Sequence, residues 1–253
     1  MQTFTRWSLF FLGLAFTSTS FADESNLWYF TLGGGYDINS LNTKTTIAPL
    51  IQSTSDTYSP TPYSNIGLGI GMVELGKIYS NDSILFPKIQ FGVGWEYTQP
   101  FTINGSIEPL SLPQAIYNYS EDFSTQGLYL MEKFNLFQLG ILSPYIKTGV
   151  GISLSQVSNY QETYINSTIP QRLSPAFQDN SYYSFAYMAS AGIDIKVAPT
   201  VDVNLGYAYN NPVDVQTGDA QDYYTQPVAL KNTFYSNFFY LSVDMAFQPT
   251  VHN

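Results

Sequence analysis

The chain carries one imidazole, His252, and no cysteine. Thiolate chemistry and disulfides are thereby excluded. A Ser-His-acid or Asp-His centre would have to be built on His252 alone. That residue falls in a short tail after the last strand-like segment, on the far side of an expected lipid core of about 25 Å from any outer rim. The reading is therefore non-enzymatic. The remaining charges fall into two sets. Lys88, Lys147, Asp194, Lys196, Asp202 and Asp244 occupy polar positions of alternating segments, near short turns. Facing one interior, they would form a buried ionic network, because unpaired buried charges are expensive. Such a network serves either as a structural plug or as the gate of a narrow pore. Asp214, Asp219 and Asp222 make the second set. Carboxylates of this kind hold divalent cations, but the spacing matches no calcium loop, and a solvated acidic loop is the simpler reading. No metal and no cofactor is called for.

The elements that position these charges are alternating strands. From Phe185, every second residue is apolar or aromatic: Tyr187, Ala189, Ala191, Ile193, Ile195 and Val197. After Ala198-Pro199 the pattern resumes with Val201, Val203, Leu205, Tyr207 and Tyr209 on one face and Asp202, Asn204, Gly206 and Ala208 on the other. Successive strand side chains point to opposite faces, so 185–211 is a hairpin with one oily and one polar side. Each arm has roughly the ten residues of a tilted transmembrane strand. The arm that opens on proline recurs at Pro87, Pro144 and Pro199, spaced 57 and 55 residues apart, with a fainter copy at 30–36. Four such arms with their partners give eight strands, and a closed up-and-down barrel removes its own sheet edges.

The strands are expected at about 27–37, 64–79, 84–99, 123–137, 144–156, 185–197, 201–210 and 235–247. In the second, Ile66, Leu68, Ile70 and Met72 are expected to face lipid and Gly67, Gly69 and Gly71 the lumen. Glu74 then lands on the oily face, which implies either a bulge or a place at the lipid boundary. In the fourth, either Tyr129 and Met131 or Leu128 and Leu130 face lipid; the preferred register puts Leu128, Leu130, Phe134 and Leu136 outward and Lys133 inside. Val93 faces mid-membrane, so Val93→Arg should cost about 2–4 kcal/mol, and the inward Gly92→Ser should be milder. Aromatic residues near strand ends fit two interfacial girdles: Trp28, Phe86, Tyr145 and Phe247 at the short-turn end, and Tyr36, Trp95, Tyr97, Tyr207 and Tyr209 at the other. Connections alternate between long segments (38–63, 100–122, 157–181, 211–233) and short turns. Bacterial barrels show this asymmetry, with long loops outside and tight turns in the periplasm. Loops of this kind should tolerate trimming.

Residues 1–22 read as a signal peptide cleaved after Ala22: Arg6, then an apolar run from Trp7 to Phe16 too short to span a bilayer, then small residues ending Ser20-Phe21-Ala22. Residues 23–253 form one barrel domain. Without Arg6 the mature chain holds eight bases against nineteen acids, a net charge of −11, which argues against nucleic acid as a partner. Aromatic content is 17% and charged content only 11%, where soluble domains carry about a quarter charged residues.

The run Phe185-Ala186-Tyr187, with Ala191-Gly192-Ile193-Asp194, Val203-Asn204-Leu205-Gly206-Tyr207-Ala208-Tyr209 and the alternating strand ending at Phe247, resembles the opacity-type eight-stranded outer-membrane barrels, related in form to the OmpA transmembrane domain. Two departures stand out. Gln248 to Asn253 follow the terminal aromatic residue, and no peptidoglycan-binding domain is seen, so the resemblance implies no cell-wall anchor. It does imply an all-β, eight-stranded antiparallel up-and-down transmembrane barrel in a Gram-negative outer membrane. Expected partners are outer-membrane lipid and lipopolysaccharide, the outer-membrane assembly machinery, and a host or surface ligand at the loops. The resemblance points to a surface antigen, adhesin or structural barrel; the alternative is a small passive pore for ions or small solutes. Fold alone does not decide between them.

Overall fold

A computed structural model describes residues 27–38, 40–41, 45–47, 56–61, 67–80, 84–109, 114–165, 177–220 and 228–248. The leader 1–22, Ile66, Asp222 and His252 lie outside the described residues. Eleven strands appear in chain order: β1 Leu27–Ile38, β2 Ser40–Leu41, β3 Thr45–Ile47, β4 Asp56–Pro60, β5 Gly67–Ser80, β6 Lys88–Glu108, β7 Tyr117–Asn135, β8 Leu142–Tyr164, β9 Asn180–Ala198, β10 Val201–Gln216 and β11 Lys231–Phe247. Eight of them close a ring, β1-β5-β6-β7-β8-β9-β10-β11 and back to β1, every pairing antiparallel. β2, β3 and β4 are short additions at the far end from the short turns, with β4 laid on the end of β6.

The outer wall is oily where a membrane would lie. Leu32, Leu75, Phe91, Val93, Leu130, Val150, Ile193, Leu205 and Leu241 all project outward and are exposed, and no helix of the described residues is long and apolar enough to cross a membrane. This is the lipid face of a transmembrane β-barrel. In β7, Leu128 and Leu130 are outward and exposed, and Lys133 is buried inside.

β5 departs from its expected register. Ile70 and Glu74 are buried in the lumen with Met72 beside them, while Val73 and Leu75 face outward with Gly69 and Gly71. No bulge intervenes: β5 pairs with β1 without a break from Leu27↔Ile78 to Ile38↔Gly67. Period two ties residues 70, 72 and 74 to one face. Glu74 therefore carries Ile70 and Met72 inward with it, because a carboxylate gains an ammonium partner inside, and the two apolar side chains lose little in a packed lumen.

The long connections also differ from simple loops. β6, β7, β8 and β10 continue well past the membrane belt, and their outward side chains change there to Thr102, Asn104, Asn118, Asp122, Gln156, Gln161 and Asp214. Most of their inward side chains stay apolar, with the acids Glu121 and Glu162 buried among them. Ile103, Phe123, Val157, Val215 and Phe234 form one cluster. Above it Tyr58, Ile107, Tyr117, Tyr119, Tyr160, Phe177 and Leu230 form another. The ring thus rises beyond the bilayer as a second storey with its own core. Irregularities in pairing mark the boundary, between Thr98 and Phe101, Ser120 and Asp122, and Asn210 and Val213. On β6 the inward positions switch there from even to odd, on β8 from odd to even, and on β10 from even to odd. Pro100 and Pro212 occupy two of the bulges, where no ladder N–H is lost.

The substitution contrast at strand β6 changes accordingly. Val93 is 47% exposed on the lipid face, so Val93→Arg should cost about 2–4 kcal/mol in a bilayer. A Cβ on Gly92 would sit 2.7 Å from the Leu75 carbonyl oxygen and against the Tyr29 hydroxyl. Backbone cannot yield there, so Gly92→Ser is not the mild change expected and should itself cost about 1–3 kcal/mol. Gly71, whose Cβ would meet nothing within 4 Å, is the neutral control. Urea titration of refolding into vesicles, read by the mobility of unheated protein, should rank Gly71→Ala mildest.

Candidate functional site

The lumen is the one place where the fold gathers titratable side chains from every wall. At its short-turn half, Lys133 on β7 lies 2.7 Å from Asp194 of β9 and 3.0 Å from Asp244 of β11. It also donates to Asn204 Oδ1 of β10 at 3.1 Å. Asp244 is held further by the Thr31 hydroxyl at 2.7 Å, the Asn204 amide at 2.8 Å and the Gln90 amide at 3.3 Å. Lys88 pairs with Asp202 at 2.5 Å and reaches Asp194 at 3.6 Å. Asn135 donates to Asp194 at 2.7 Å. One level up, Lys147 pairs with Glu74 at 2.5 Å, and the Tyr29 hydroxyl donates to the same carboxylate. Three ammonium groups therefore meet four carboxylates, with amides and hydroxyls supplying the remaining donors. That arrangement offsets desolvation, which pairing alone often fails to do.

Of the six charges singled out from the sequence, Lys88, Lys147, Asp194, Asp202 and Asp244 come together here. Lys196 does not: it is exposed at the short-turn mouth, across the ladder from Asp202. It lines a cavity of about 180 Å³ there, with Lys88, Asp194 and Asp202. Glu74, Asn204, Asn135 and Tyr29 belong to the same network and were not among the six. Glu74 was hidden by the oily pattern around it. The partners of an Asn or Tyr cannot be read from alternation, which gives the face and not the height.

Tyr145 requires a correction. It is not a girdle residue: it is 2% exposed, inside the barrel. Lys133 Nζ stands 4.3 Å from its ring centre, and its hydroxyl meets that of Tyr240 at 2.7 Å. Position 145 shares its face with Lys147, so period two sends both inward. Trp28, Tyr36, Phe86, Trp95, Tyr97, Tyr207, Tyr209 and Phe247 lie on the outer wall. Trp95 stacks on Tyr97 and Tyr207 packs on Phe239.

Above the ionic floor the lumen is filled by Ile70, Tyr129, Met131, Met188, Ala208, Phe238 and Tyr240. Two spaces at this level measure about 10 and 20 Å³, room for single waters at most. Higher, Asn210 donates to Glu96 at 2.6 Å and Ser236 to Asp37 at 2.8 Å. In the upper storey, clear of the membrane belt, Glu121 is buried with the Asn232 amide 3.4 Å from one oxygen. Its other oxygen has no hydrogen-bond partner. Burial pushes this carboxyl up to about 8, against the smaller opposing effect of Asn232. Asp214 and Asp219 are exposed, and among the described residues no group of acidic or histidine side chains is placed to hold a metal.

A closed antiparallel ring with an oily exterior and a side-chain-filled lumen defines a small transmembrane β-barrel. No protein-family model and no curated protein matches the sequence. Among solved structures, the chain is similar to Neisserial surface protein A, with 13% identity over 88% of this chain and 100% of that one, at a TM-score of 0.43. The outer membrane protein OprG from Pseudomonas aeruginosa is similar at 12% identity, over 88% and 98%, with a TM-score of 0.44. The outer membrane protease OmpT from Escherichia coli is similar at 8% identity, over 91% and 99%, with a TM-score of 0.41. At such identities the likeness is one of form, and no activity follows from it.

Two outcomes test the lumen. Lys147→Met strands the Glu74 charge and should cost about 3–5 kcal/mol; adding Glu74→Gln should recover most of the loss in the same urea titration. For Glu121, the folded chain binds its proton more tightly than the unfolded chain does. Its stabilising share is full below about pH 4.5 and lost as pH rises through about 8. Glu121→Gln should therefore stabilise the upper storey little at acid pH and most above about pH 8, measured by chymotrypsin resistance of the outer segments.

Proposed function

We propose that this chain is a non-enzymatic outer-membrane surface protein. In this reading the leader is removed after Ala22, the short turns face the periplasm, and the second storey stands outside the cell as a folded platform for a host or surface ligand. The observation that carries it is the filled lumen. Ionic floor, apolar middle and two upper clusters follow one another among the described residues, and two spaces beside the apolar middle measure only about 10 and 20 Å³. A chain that devotes its interior to packing leaves only its outer surfaces for recognition. Those above the bilayer are polar and acid-rich, with Asp122, Asn159 and Asp214 among them. The folded upper core supports recognition by a shaped surface over recognition by loose loops.

Planar-bilayer recording of the refolded barrel tests this directly. The expected trace is flat at voltages where a pore of the same strand number would pass current. Steady steps that change in size when Lys133 or Lys147 is replaced would put the chain among passive pores and end the proposal.

A further inference from the structure

The lipid-facing wall carries a cation and an anion at the short-turn end, set on an aromatic platform. Lys77 on β5 and Glu132 on β7 both point outward and are half-buried. Phe91 lies between them, opposite Lys77 on one side and Glu132 on the other. The two charges are thus separated by two strand spacings, roughly 9.5 Å. No ion pair joins them, and no hydrogen bond reaches Glu132, among the described residues. Lys77 Nζ sits 5.4 Å from the Trp28 ring centre, at the girdle. Around Phe91, Tyr79, Phe134 and Phe86 form a chain of edge-on contacts: Tyr79 to Phe91 at 5.9 Å, Phe91 to Phe134 at 6.5 Å and Phe134 to Phe86 at 6.1 Å. Phe86 reaches this position from a left-handed backbone with φ 56°, which is costly for a bulky residue. The turn accepts that strain and keeps an exposed ring on the lipid side.

An ionisable side chain facing lipid is expensive unless something neutralises it, and the protein supplies nothing to Glu132. We propose that this patch is a docking site for a zwitterionic phospholipid with a primary ammonium headgroup. The ammonium is received by Glu132, the phosphate by Lys77, and the acyl chains lie along Phe91 and Val93. A trimethylated headgroup keeps the charge but offers no N–H to the carboxylate, and a glycerol headgroup offers no cation. The inference rests on the outer-membrane reading, because it assigns the short-turn end to a phospholipid leaflet.

The test is refolding into vesicles with spin-labelled phosphatidylethanolamine, phosphatidylcholine or phosphatidylglycerol as the probe, reading the motionally restricted fraction. Phosphatidylethanolamine should be favoured over the other two by up to about fivefold, the ratio that an exposed ion pair supports. Glu132→Gln should abolish that preference, and Lys77→Gln should weaken it. Equal restriction of the three lipids by the wild-type barrel, a preference that survives Glu132→Gln, or a preference for phosphatidylglycerol alone would overturn the site. Unheated gel mobility in the same samples reports insertion, so failure of the barrel reading is seen separately from failure of the site.

Discussion

The Lys133 ammonium between Asp194 and Asp244 is the contact on which the barrel depends. It joins β7, β9 and β11 across the lumen, and through Asn204 it adds β10. Asp244 in turn reaches β1 through Thr31 and β6 through Gln90. A ring of backbone hydrogen bonds fixes each strand to its neighbours but leaves the cross-section free to flatten. Charge pairs that span the bore hold opposite walls at one distance. Because Lys133, Asp194 and Asp244 are almost fully buried, each of these charges is worth its cost only while all its partners are in place. The apolar middle and the upper clusters are stacked on this floor and inherit its diameter.

Much of this was legible from alternation. The outward faces of β1, β7, β9, β10 and β11 follow period two from end to end of the membrane belt, because lipid on one side and packed side chains on the other penalise any exception. In β7 the rule left two registers open, and the structure takes the one with Leu128 outside and Lys133 inside. Where the rule failed, competing demands met on one face. In β5 the oily residues outnumber the acid, yet one buried ion pair with Lys147 outweighs the exposure of Ile70 and Met72. Tyr145 lies near a strand end, where girdle residues gather, but its parity with Lys147 sends it inward. The ligand pairs themselves were not legible, since the strand tilt that sets which inward residues share a level is a property of closure.

The upper storey was the larger omission. Its strands are rich in Ser, Thr, Asn and Gln, and composition alone reads them as loops. What composition hides is the apolar half of each strand, Ile103 and Ile107, Phe123 and Tyr119, Val157 and Tyr160, with the phase shifted past the bulges, at Ile103 on β6 and at Tyr160 on β8. A single alternating template carried across those bulges loses the pattern where it resumes. Pro100 and Pro212 were the available signals, because proline inside a long strand marks a break in pairing.

The bulges let β6, β8 and β10 change parity between the two storeys, while β7, β9 and β11 keep one phase through both. Below them each strand is phased by lipid; above them it is phased by the Phe123 and Tyr160 cores. The break in parity on β6, β8 and β10 absorbs the mismatch, much as an expansion joint takes up movement between two rigid spans. A residue gained or lost at one of these three bulges can be taken up there, whereas on β7, β9 or β11 it would turn inward side chains outward. The upper storey can therefore vary at the base of β6, β8 and β10 without any compensating change in the membrane wall. A plain barrel with one continuous register on every strand would not have that freedom.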